Sequence, residues 1–220
     1  MKNYVKRIFA LAIAGIMVCA ALTGCSGSKE TKTADSNSLT IEDGVLKVAM
    51  ECGYAPYNWT QSTDENGAVP IADSSDFAYG YDVMMAKYVA DKLGLELEIV
   101  KLDWDSLVPA VQSGTVDCVI AGQSITSDRL QQVDFTTPYY YASIVVLVKS
   151  DSPYASATCV ADLDGAVCTS QIGTIWYDTC LPQIPNADIQ PAQETAPAML
   201  IALDSGAVDI VVTDQPTGLA

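Results

Sequence analysis

One arginine, one aspartate and a pair of tyrosines stand where strands should end. Arg129 follows the turn Ala121-Gly122-Gln123-Ser124 at a short distance, near a helix start. Asp214 closes the last strand that the pattern defines, and Tyr54 and Tyr57 follow the first. A guanidinium takes a carboxylate through two parallel N–H bonds. A half-buried carboxylate takes an ammonium, and an aromatic wall covers an aliphatic stem while keeping water out. This set suits a small molecule carrying a carboxylate and an ammonium together. The chain has no histidine, which removes histidine triads, histidine general bases and histidine metal ligands; neither a metal ion nor a cofactor is expected.

The scaffold that must position these groups can be read from periodicity. Residues 46–50 read as a strand, followed by a long polar loop over about 60–78. A helix capped by Asp82 runs to residue 93 and ends at Gly94. Its apolar face, Val83, Ala86, Val89, Ala90 and Leu93, has the spacing of a helix packed on a sheet. Residues 95–102 read as a second strand, 103–113 as a helix and 116–121 as a third strand. Strands are also expected over 143–149, 166–169, 188–190 and 208–213, with a helix over 196–204. Strands alternating with helices imply an α/β fold with parallel strands.

One internal repeat stands out. Residues 110–120, AVQSGTVDCVI, match residues 202–212, ALDSGAVDIVV. Each is a helix end, a Ser-Gly cap, an aspartate entering a strand and then the strand itself. The two strands deliver Ala121-Gly122 and Thr213-Asp214. Two similar lobes are implied, and facing strand ends make a cleft, a usual place for a ligand. Asp117 and Asp209 read as turn caps, Trp104 as packing.

The N-terminus speaks to compartment. Lys2, Lys6 and Arg7 precede an uncharged apolar run over 8–22, too short for a comfortable membrane span and suited to a signal-peptide core. Leu22-Thr23-Gly24-Cys25 resembles the bacterial lipoprotein box, which makes Cys25 the acylated residue of a lipid anchor. The Ser/Thr/Lys-rich tract 26–38 reads as tether. Without residues 1–24 the chain keeps 8 basic and 27 acidic residues, a net charge of −19. A body this acidic excludes nucleic acid as a partner, because phosphate contacts need clustered Lys and Arg. Beyond Cys25 the cysteines are Cys52, Cys118, Cys159, Cys168 and Cys180. Five cannot all pair, leaving either one disulfide among the last three or small unpaired thiols.

An ordered set of segments carries a resemblance: ECGYAPY (51–57), GYDV (80–83), WDSLVPAVQSG (104–114), AGQSITSDR (121–129), VDFTTPYY (133–140), DLDG (162–165), IGT (172–174) and VDIVVTD (208–214). In this order they resemble the family 3 extracellular solute-binding proteins, receptors for polar amino acids in ABC importers. The resemblance implies a two-lobed, periplasmic-binding-protein-like (type II) α/β fold, with lobe 1 over 45–140 and lobe 2 over 141–220 after a leader (1–24) and a tether (25–44). It implies that Arg129 clamps the ligand carboxylate, helped by the Ser124 hydroxyl and the Gly122 backbone, and that Asp214 takes the ammonium. Thr174 and Ile175 would offer backbone N–H groups, Tyr54 would wall the side chain, and Glu51 and Gln171 would meet its distal end. An ABC permease would be the membrane partner of a monomeric receptor.

The chain also departs from the family pattern. Glu51 is longer than the aspartate common there, which leans the ligand towards basic or amide side chains. The loop over 60–78 is long, Gln123 replaces a commonly apolar residue, and the pattern stops in the helix after Asp214, as in a chain lacking its C-terminal part. An enzyme of dehydratase type on the same fold, with Glu51 as its base, and a ligand-sensing domain of a larger receptor are the rival readings.

Overall fold

The computed structural model describes residues 39–220. The leader, Cys25 and the tether up to residue 38 lie outside the described residues. From Thr40 the chain is bonded to the body: the Ile41 N–H donates to Asp117 Oδ1 at 2.7 Å and Lys47 pairs with Glu42 at 2.9 Å.

The first α/β unit runs β1 (Val45–Met50), β2 (Gly53–Tyr54), β3 (Asn58–Gln61), β4 (Val69–Pro70), β5 (Phe77–Tyr79), α1 (Tyr81–Leu93), β6 (Glu96–Lys101), α2 (Leu107–Gln112) and β7 (Cys118–Val119). Its main sheet has the order β6-β1-β7, all parallel, with Val48 opposite Ile99 and Cys118. Val48, Ala49, Met50, Ile99, Val83, Ala86 and Leu107 are the centre of its core. The polar stretch read as a loop carries β4, the end of β3 and most of β5, which with β2 form a small antiparallel sheet of order β2-β3-β5-β4. Strands of two to four residues separated by turn residues leave no period for sequence reading to detect. The strand expected over 116–121 is paired only at Cys118–Val119.

Helix α1 corrects a second expectation. Asp82 is not its cap; the N-cap is Gly80, with φ 130°. The first N–H groups of the helix are taken by backbone: Tyr81 donates to the Pro56 carbonyl at 3.2 Å and Asp82 to the Tyr57 carbonyl at 2.8 Å. Only glycine allows this approach, because a Cβ at residue 80 would lie 2.2 Å from the Tyr57 oxygen. Leu93, placed on the buried face by periodicity, is exposed on the last turn.

The second unit runs β8 (Ile144–Val148), β9 (Val167–Thr169), β10 (Asp188–Ile189), α3 (Ala196–Asp204), β11 (Ile210–Asp214) and α4 (Gln215–Leu219). Its sheet has the order β10-β9-β11-β8; β8 is antiparallel and the others are parallel. Its core gathers Leu163, Cys168, Leu181, Ile210 and Val212 on one face and Met199, Leu203 and Val211 on the other. The five cysteines from Cys52 to Cys180 are all free thiols, so no disulfide joins Cys159, Cys168 or Cys180. No helix among the described residues is long and apolar enough to cross a membrane.

The repeat is reproduced bond for bond. After α2, the N–H groups of Thr115 and Val116 return to the Ala110 carbonyl; after α3, those of Ala207 and Val208 return to Ala202. The Asp117 N–H donates to the Lys47 carbonyl, and the Lys47 N–H donates to Asp117 Oδ2 at 2.7 Å. In the second unit Asp209 and Val167 exchange the same pair, the side-chain bond being 3.0 Å. Both aspartates therefore clip the start of a central strand, β1 or β9, and do not merely cap turns. Asp117→Ala and Asp209→Ala should each lower stability by about 1–3 kcal/mol in urea unfolding, since a strand donor loses its charged acceptor. Asp117 should cost more, as it also holds Ile41; a loss below about 0.5 kcal/mol at both would mean water replaces them.

Candidate functional site

Between the two sheets lies a chamber lined by Glu51, Tyr54, Gly122, Ser124, Arg129, Gln171, Thr174 and Ile175, together with Trp104 and Trp176. Eight of the nine residues expected at the site are thus gathered in one place; the ninth, Asp214, lines the adjoining chamber, which shares Tyr54, Gly122, Ser124, Ile175 and Trp176 with the first. The first chamber holds about 20 Å³, room for one water. The second is larger, about 350 Å³.

Each side chain is delivered by a strand end or by the turn after it. Glu51 follows β1 and is buried; its Oε1 accepts from Gln171 Nε2 at 2.9 Å, a bond from one lobe to the other. Burial pushes the Glu51 carboxyl up, with the Gln171 bond opposing. Gln171 also donates to the Glu194 carbonyl at 3.3 Å. Arg129 starts a short 3-10 turn. Its Nη1 donates to the Ser124 carbonyl at 2.7 Å and its Nη2 to the Gly173 carbonyl at 2.9 Å. Burial lowers its pKa, with Asp178 opposing, and its guanidinium lies 5.6 Å from the centre of the Trp104 ring, within cation–π range.

Gly122, Asp214 and Trp104 make bonds of their own within the protein. The Gly122 N–H donates to the Tyr139 hydroxyl oxygen at 2.9 Å. Asp214 caps α4, its Oδ1 accepting from the Thr217 N–H at 2.8 Å. It is still buried at the rim of the larger chamber, and burial pushes its carboxyl up against the opposing Thr217 bond. Trp104 does more than pack: it lines the chamber, and its Nε1 donates to the Gly173 carbonyl at 3.2 Å. The Thr174 hydroxyl is spent locally, donating to the Gln171 carbonyl at 2.7 Å.

Sequence reading missed the aromatic stack. Trp176 lies 5.9 Å from Tyr54, Tyr54 4.9 Å from Tyr57, and Tyr57 4.7 Å from Tyr140, centre to centre. The stack passes from the second unit through two first-unit tyrosines to the segment joining the units. The run Tyr139-Tyr140-Tyr141 was its visible signal; Trp176 had none, because it sits in a single π-type turn, Trp176–Cys180, that no periodicity announces.

Two α/β units, parallel strands ending at a shared cleft, and a cationic and a carboxylic group at its walls define a two-lobed binding protein. Residues 46–188 match the bacterial extracellular solute-binding proteins, family 3, and the chain belongs to that family, an extracytoplasmic class. It is 30% identical to a probable histidine-binding protein of Campylobacter jejuni over 217 residues, covering 99% of this chain and 75% of that protein. It is 32% identical over 167 residues to the arginine-binding extracellular protein ArtP of Bacillus subtilis, covering 75% of this chain and 56% of that one. Among solved structures, an ancestral amino-acid-binding protein described as a precursor of cyclohexadienyl dehydratase superposes with a TM-score of 0.68 at 31% identity, covering 80% of this chain and 72% of that one.

Proposed function

We propose that this protein captures a polar amino acid with a basic or amide side chain between lobes spanning 45–140 and 141–220 and delivers it to an ABC importer, working as a monomer anchored to the membrane through a lipid on Cys25. Arg129 receives the ligand carboxylate with the Ser124 hydroxyl beside it. Asp214 takes the ammonium, Thr174 and Ile175 supply N–H groups, and Tyr54 walls the side chain. Glu51 and Gln171 meet the distal end. The observation that carries this reading is the convergence of Arg129, Glu51 and Gln171 on one buried chamber, with Asp214 across Trp176 and Ile175. A half-buried cation and buried carboxylates held by backbone and amide groups can receive a zwitterion's opposite charges without a new desolvated partner being left over. The relatives named for histidine and arginine fit the same choice of side chain. The chamber must widen to admit such a ligand, so the lobes part and close around it.

The test is calorimetric titration of the ligand-stripped protein with each common amino acid. One basic or amide amino acid should bind with micromolar or tighter affinity. Saturable binding of none by a folded sample sinks the proposal, and turnover of a carboxylated substrate would move the assignment to an enzyme.

A further inference from the structure

We infer that Asp82 is a positioning residue for the binding site: from the buried end of α1, it pins the two turns on which the site is built. Its carboxylate has no solvent exposure and both of its oxygens are used. Oδ1 accepts from the Tyr139 hydroxyl at 2.7 Å, and Oδ2 accepts from Asn58 Nδ2 at 2.7 Å. Each partner passes the constraint on to backbone. The Tyr139 oxygen accepts from the Gly122 N–H at 2.9 Å, and Asn58 Oδ1 accepts from the Cys52 N–H at 2.8 Å.

The two receiving residues share a property. Cys52 has φ 55° and Gly122 has φ 64°. The left-handed region is open to glycine but strained for a residue with a Cβ such as cysteine. Cys52 is the first residue after Glu51 and two before Tyr54; Gly122 is two before Ser124 and opens the turn leading to Arg129. The chain thus turns sharply at the ends of β1 and β7, and one carboxylate holds both turns through one intermediary each. The fit is close: a Cβ at residue 122 would lie 2.9 Å from the Tyr140 hydroxyl and 3.1 Å from the Tyr54 ring.

The direction of the hydrogen bonds fixes the chemistry. Both groups facing Asp82 donate to it, so the network needs an acceptor on each side. An ionised carboxylate supplies two; an amide or a protonated acid supplies one acceptor and one donor, and leaves one arm mismatched. Asp82 does not line the chamber, so its carboxylate acts on binding through the two groups it is hydrogen-bonded to, Tyr139 and Asn58.

This role rests on the receptor reading for its affinity arm but not for its structural arm. The experiment compares wild type, Asp82→Ala and Tyr139→Phe by amide hydrogen exchange and by titration with L-arginine, L-glutamine and L-histidine. In Asp82→Ala the amides of both Cys52 and Gly122 should exchange about tenfold faster, the equivalent of about 1.4 kcal/mol. In Tyr139→Phe, which keeps the ring and its stacking, only Gly122 should speed up. The amide of Ile99, in the core beside them, should not change in Tyr139→Phe. Affinity for whichever probe the wild type binds should fall about tenfold in both variants. Unchanged exchange at both turns overturns the proposal, as does faster exchange with undiminished affinity. If Asp82→Ala does not fold, Tyr139→Phe decides. If the wild type binds none of the three, the affinity arm uses whichever common amino acid it does bind; if it binds none of those, the receptor reading falls, and the exchange rates alone decide whether Asp82 holds the two turns.

Discussion

Arg129→Ala should lower amino-acid affinity by about thirtyfold or more, because truncating one member of a desolvated, hydrogen-bonded charge pair costs about 2–5 kcal/mol. The guanidinium is fixed before any ligand arrives. Ser124 and Gly173 carbonyls hold its two arms from opposite lobes, and Trp104 covers its face. Alanine would remove the positive charge and the lobe-to-lobe bond together. Arg129→Lys should rescue little, since a single ammonium cannot bond both carbonyls and a carboxylate in the same fork. Calorimetry with L-arginine, L-glutamine and L-histidine measures the change, and thermal unfolding of each variant shows that the fold survives. Affinity within about threefold of wild type in Arg129→Ala would remove this residue from the site.

The stability of Asp82→Asn relative to wild type should rise between pH 5 and pH 7, even though the amide leaves one arm of its network mismatched. Burial pushes the Asp82 carboxyl from 3.8 up to about 6, with the Tyr139 and Asn58 bonds opposing. The groups facing it are neutral: Asn58 from β3, Tyr139 and Tyr140 from the joining segment, and Tyr57. A raised acid binds its proton more tightly in the folded state than in the unfolded chain. Its contribution to stability is therefore full below 3.8 and is lost as pH rises through 6, a swing of about 3 kcal/mol. Roughly half of that swing falls between pH 5 and pH 7. Asparagine has no such dependence, so urea unfolding at the two pH values should show the stability of Asp82→Asn minus wild type growing by about 1.4 kcal/mol. A difference that stays constant with pH would mean that Asp82 does not titrate in this range. A buried charge that weakens the fold and organises a binding site is the expected pattern where function is favoured over stability.

The main elements were legible because they obey simple periods. The helix ending at Gly94 and the strand after it show a clear 3.6-residue or two-residue spacing, and the repeat revealed that α2–β7 and α3–β11 are equivalent. What escaped was set by contacts distant in sequence. Nothing local distinguishes Asp82 as a network centre from Asp82 as a helix cap; the difference is made by the Pro56 and Tyr57 carbonyls, which satisfy the helix start in its place. The four-stranded antiparallel sheet hid in a polar stretch because its strands are shorter than one readable period. Gly122 and Asp214 were placed at strand ends, but the Gly122 bond to Tyr139 depends on a group that only the fold brings near, whereas the Asp214 bond to Thr217 is local, a cap at the start of α4.

The Gly173 carbonyl, which accepts from both Arg129 and Trp104, has a consequence for turnover. In the binding reading it is a built-in competitor for the guanidinium. A carboxylate that approaches the guanidinium on the side of this carbonyl competes with it for N–H groups, and the carbonyl offers those groups a partner again once the carboxylate leaves. Part of the attraction offered to a ligand is thereby refunded on departure, which shortens the dwell time of cargo. A carrier needs that as much as it needs capture, because a molecule held too long is never handed on.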